Sequence, residues 1–174
     1  MYNVNDVVVY GNQGVCEVVN IGTLSMSMVD KKKEYYTLRP FYHQDAAVYV
    51  PVDNVTTVMR PVISKKEAES LIKRIPDIEN AWIINEQERE TQYKTALRTC
   101  DCEELVKIIK TLVKRKKSRI DAGKKVTVVD ERYYKQAENQ LYEELAYALN
   151  MDKNEIGDYI TKSMKRNAKQ KQAG

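Results

Sequence analysis

Few of the side chains that ordinarily carry catalysis stand in this 174-residue chain at spacings that could use them. The one histidine, His43, lies in a polar loop between Tyr42 and Gln44 and reads as a surface residue. Cys100 and Cys102 stand two apart with no histidine near them, a poor start for a metal site, which needs a fuller set of donors. Cys16, within a strand-like run, reads as a small buried hydrophobe. Glu86 and Glu90 stand four apart and would share one face of a helix, the nearest approach to paired carboxylates for acid–base work. Glu90 also stands four before Lys94, the favourable order for a surface ion pair, so a solvated face is the simpler reading. Glu143 and Glu144 are adjacent and would diverge around a helix. There is no glycine-rich phosphate loop. Neither catalysis nor a metal or cofactor is expected.

Positive charge offers different chemistry. The net charge is +4, from 29 Lys and Arg against 25 Asp and Glu. Residues 1–60 hold 5 basic and 6 acidic groups, leaving 24 and 19 to residues 61–174. Between Lys107 and Lys125 there are nine basic residues and a single acid, Asp121. Two readings stay open for that run: a solvated helix end, where cations also suit the macrodipole, or a phosphate-facing patch. The stretch from Trp82 to Lys94 carries the only Trp of the chain at its head. It is where apolar and basic groups would meet a nucleic acid.

Two kinds of element must position these groups. Residues 1–60 read as short strands at Asp6–Tyr10, Val15–Val19, Tyr35–Arg39, Ala46–Val50 and Val55–Val58. Gly11–Gly14 form the first turn, and Ile21–Gly22 suggest a bulge. Five strands without a helix imply a small, closed or nearly closed barrel, with Ala46–Val50 as a candidate edge for strand addition. Residues 61–174 read as helices. Ser64 to Glu67 is a capping box, and a helix over 84–98 follows Pro76. Leu105, Ile108, Ile109, Leu112 and Val113 form an amphipathic stripe. Tyr134, Ala137, Leu141, Leu145 and Ala148 mark the buried face of the longest helix, and the polar tail from Lys165 is expected to fray. The fold class is therefore α+β, a β-barrel followed by a helical bundle. Lacking an apolar run long enough to span a bilayer and a signal-peptide pattern, the chain is expected to be cytoplasmic, with no membrane partner.

The order and spacing of NVNDVVVYGNQGVCEV, EYYTLRP, VYVPVDNV, YKTAL with ELVKIIKTL, and ENQLYEELA resemble the CarD-like bacterial transcription regulators. The resemblance covers nearly the whole chain. It implies a Tudor-like, SH3-like N-terminal barrel, residues 1–60, that binds the RNA polymerase beta subunit, with Arg39, Val48 and Tyr49 at the contact. It also implies a helical domain, residues 61–174, that contacts promoter DNA at the upstream edge of the melted region and stabilises the open complex. Lys94 and Arg132 match basic positions of the family and are expected on phosphate. The family's wedge Trp stands four residues before a Tyr-Lys/Arg pair. That position is Arg89 here, whereas Trp82 stands eleven before Tyr93, so Trp82 and Arg89 are both candidates for the minor groove, with Trp82 as a packing residue where helices meet the alternative. Tyr49 replaces a basic residue expected just before the Val-Pro step. The competing reading is a non-enzymatic adaptor whose helical domain binds a protein rather than DNA.

Overall fold

A computed structural model describes residues 1–43, 46–81 and 85–174. The chain divides into two units, Met1–Val62 and Ile63–Gly174. Gln44, Asp45 and the Trp82–Ile84 stretch lie outside the described residues, and the expectation placed on Trp82 with them.

The first unit is a five-stranded antiparallel sheet of β1 (Val7–Tyr10), β2 (Gly14–Gly22), β3 (Tyr35–Pro40), β4 (Val48–Pro51) and β5 (Met59–Pro61), in the order β4-β3-β2-β1-β5. The β1–β2 turn needs a left-handed backbone, and Gly11 supplies it at φ 46°. Alternation then decides the faces: Val8, Cys16, Val18, Tyr36, Leu38 and Val50 all point into one core. The register slips between Val18 and Asn20, so the bulge falls earlier than Ile21–Gly22, which pair with Tyr36 and Tyr35. Tyr2 draws the sheet round on itself. Its amide donates to the Tyr36 hydroxyl in β3 (3.1 Å) and its own hydroxyl donates to the Met59 carbonyl in β5 (2.9 Å).

The last strand is Met59–Pro61 and not Val55–Val58. Those β-branched residues belong to a turn built by Asn54. Its Oδ1 accepts from the amides of Thr56 and Thr57 (3.2 and 3.4 Å), and its Nδ2 donates to the Thr57 carbonyl (2.9 Å). Such side-chain bonds offer the backbone an alternative to a ladder.

The second unit holds α1 (Lys65–Arg74), α2 (Arg89–Thr99), α3 (Cys102–Asp121), α4 (Val128–Leu149) and α5 (Lys153–Ala173). The capping box is present in full: Ser64 Oγ accepts from the Glu67 amide (3.2 Å) and Glu67 Oε2 from the Ser64 amide (2.7 Å). Asp101, Thr127 and Asp152 cap α3, α4 and α5 in the same sense. α2 begins five residues later than expected, because Asn85 Oδ1 takes the Glu88 amide (2.9 Å) and holds the preceding residues in a turn. It ends on Cys100 in the left-handed region, φ 52°, and Asp101 immediately caps α3.

Two faces differ from the periodic reading. Val113 is 51% exposed, while Val106 joins Leu105, Ile108 and Leu112 in the core. On α4 the inward tyrosine is Tyr133, not Tyr134, because its ring packs on Tyr93 of α2 at 5.4 Å between centroids. α5 stays helical to Ala173, carried past Lys165 by Lys, Gln, Arg and Ala, all good helix formers. Glu144 is buried between elements. It accepts from the Ile63 amide (3.0 Å) and from the Cys102 thiol (3.1 Å).

Candidate nucleic-acid interface and sheet edge

The basic groups of α2, α3 and α4 fall into an inner and an outer set. In the inner set, Arg89 donates twice to Glu86 (2.7 and 3.1 Å) and once to the Tyr93 hydroxyl (2.9 Å). Arg115 of α3 donates to the same Glu86 (2.9 Å) and to Asp130 of α4 (2.7 Å). The two guanidinium side chains are only 16% and 20% exposed. Burial acts to lower both their pKa values, but the hydrogen bonds more than offset it and keep them charged. Burial raises Tyr93, so its hydroxyl stays a neutral partner for Arg89. This set holds three helices together. Arg89 would have to break three hydrogen bonds to reach a groove.

The outer set lies one turn along. Glu90 Oε1 accepts from the Tyr133 hydroxyl (2.9 Å) and from Arg132 Nη2 (3.0 Å), with Lys94 Nζ 3.4 Å away. Arg132 also lies over the Tyr133 ring, 5.0 Å from its centroid. Lys94 is 55% exposed and Arg132 51%. The structure therefore brings these two residues together from separate helices and leaves their outer faces in solvent. The hydrogen bond from Tyr133, then the hydrogen bond and charge of Lys94 and the charge of Arg132, hold the Glu90 carboxyl below the ordinary glutamate range. Glu86 stands in the turn before α2 and faces different partners, so it forms no carboxylate pair with Glu90.

The run from Lys107 to Lys125 is also divided. Lys107 pairs with Glu104 (2.9 Å). Lys110 caps the carbonyls of Ile75, Pro76 and Ile78, and Arg115 is internal. Around it and on to the α3–α4 corner, Lys114, Lys116, Lys117, Lys124 and Lys125 are exposed, so a basic surface remains.

In the first unit β4 is an edge strand, paired on one side with β3. Tyr49 stands opposite Thr37 and is 41% exposed. Arg39, two residues along β3 from Thr37, shares that outer face and pairs with Glu17 of β2. Val48 lies opposite Leu38 and packs against the core. What it can offer a partner is its backbone.

Residues 2–63 match the family model of the CarD-like/TRCF RID domain, and residues 63–161 match that of the CarD C-terminal domain. The chain belongs to the CarD-like family. A search of curated proteins found no match. The CarD-like regulators are RNA polymerase-interacting transcription factors and not enzymes. No helix among the described residues is long and apolar enough to cross a membrane.

The roles of three residues around this CarD-like site were not legible in the sequence. Glu90 was visible there only through its four-residue spacings to Glu86 and Lys94. Tyr133 and Arg115 carried no local signal, since their partners lie 43 and 15 residues away in the chain.

Proposed function

We propose that the protein binds the RNA polymerase beta subunit through the β3–β4 outer face and edge, and promoter DNA through the α2–α4 face, and so stabilises the open complex. The observation that carries the DNA reading is the convergence of Lys94 and Arg132, half-exposed and from two helices, on one oxygen of Glu90. Paired cations held by a folded scaffold are what a phosphate backbone requires, and they carry no base code. Arg89 is committed to Glu86 and Tyr93, which weighs against it as the minor-groove contact and leaves Trp82 as the other candidate. On the polymerase side, an edge strand carrying Tyr49, with Arg39 of β3 on the same outer face, suits strand addition with one aromatic anchor.

The test uses the full chain. Lys94→Glu with Arg132→Glu should weaken binding to duplex DNA at every sequence tried. It should also reduce the slope of log K against log salt by about 2 in magnitude, one for each phosphate no longer neutralised. Unchanged affinity and slope would reject this face as the DNA contact and favour an adaptor role for the helical unit.

A further inference from the structure

The two cations offered to phosphate already hold an anion. Glu90 places one carboxylate oxygen at 3.0 Å from Arg132 and 3.4 Å from Lys94, and the Tyr133 hydroxyl fixes that oxygen at 2.9 Å. A carboxylate oxygen and a phosphate oxygen are equivalent acceptors for ammonium and guanidinium groups. Resting on the DNA reading above, we propose that Glu90 is a resident competitor for backbone phosphate, displaced each time DNA binds this face.

Exposure separates this carboxylate from its neighbours. Glu86 and Asp130 hold Arg89 and Arg115, cations too buried for a phosphate to reach. Glu90 is 41% exposed and both its cations are half-exposed, so an incoming oxygen can replace it without unpacking a helix. Tyr93 and Tyr133 hold α2 against α4 through ring contact, and that contact does not need the charge on Glu90. The exchange makes binding weaker than two free cations would give. A carboxylate left beside the two cations cancels part of the charge they present to the DNA, so fewer of the counterions condensed on the duplex are released. A helical unit tuned in this way engages DNA usefully only where another contact raises its local concentration. A polymerase-bound sheet edge is one such tether.

Glu90→Gln tests the proposal, because the amide keeps an oxygen for Tyr133 and removes only the charge. An exposed ion pair contributes little, and losing the competitor for two of them should tighten binding to a short mixed-sequence duplex about three- to tenfold at low salt. The salt slope should become steeper by about 1. Glu79→Gln changes net charge equally at an exposed site elsewhere on the unit and should tighten binding far less. Matched melting curves for wild type and both variants confirm that the scaffold is unaltered. Equal tightening by the two variants would reduce the effect to net charge and overturn the proposal. Weaker binding by Glu90→Gln would overturn it too, assigning Glu90 to orienting the cations. If Lys94→Glu with Arg132→Glu leaves DNA binding untouched, it is the DNA reading itself that fails.

Discussion

Glu144→Ala should be among the most damaging single substitutions in the helical unit. The wild-type side chain is 2% exposed and accepts from the Ile63 amide at 3.0 Å and the Cys102 thiol at 3.1 Å. A hydrogen bond to a charged acceptor contributes about 1.5–3 kcal/mol, and the amide left behind is unsatisfied. The void adds roughly 1 kcal/mol. Against this, a desolvated carboxylate is removed, which returns part of the loss. The net is a destabilisation of about 2–4 kcal/mol, or a melting temperature lower by about 10 °C for a unit of this size. Glu144→Gln keeps an oxygen for Ile63 and should cost about 1 kcal/mol. Urea unfolding of the full chain, followed by far-UV circular dichroism to report the helices, measures both. If Ala lies within about 0.5 kcal/mol of wild type, or Gln costs as much as Ala, Glu144 is not the acceptor that holds Ile63 and Cys102 in place.

Two further outcomes follow from geometry. Gly11→Ala combines a backbone at φ 46° with a Cβ that would sit 2.7 Å from Thr57 Cγ2, so the sheet unit should lose more than about 1 kcal/mol, read from its own unfolding transition. Glu86 is held below the ordinary glutamate range, first by its hydrogen bond from Arg89 and further by Arg115. Its folded pKa is the lower one, so this stabilisation is present above the unfolded value of about 4.3 and is lost as pH falls through the folded value. Glu86→Gln should flatten the acid limb of the helical unit's stability profile.

Much of this architecture could be read from local chemistry. The Ser64–Glu67 box, the β-branched run within Asp6–Tyr10 and the aromatic start of Tyr35–Arg39 are each decided within a few residues, and each forms as expected. What was not legible depended on competition or distance. Val55–Val58 has strand propensity, yet the Asn54 side chain claims its backbone. Tyr133 and Tyr134 are equivalent in composition, and only the ring of Tyr93, on another helix, chooses between them. The same holds for the candidate site. Lys94 and Arg132 could each be named from the family pattern, but their meeting at Glu90 is a property of the folded α2–α4 contact. Arg89, equally basic, is turned inward by a turn that no periodicity announces.

The bonds of Tyr2 carry a consequence for how the sheet closes. Its contact to β3 spans 34 residues of sequence and that to β5 spans 57, so the second closes a longer chain loop than the β1–β5 ladder does and bears a high entropic cost of formation. The sheet unit is thus zipped by a residue that precedes its first strand. Tyr2→Phe would therefore loosen the closure between β3 and β5 without touching the strand ladder.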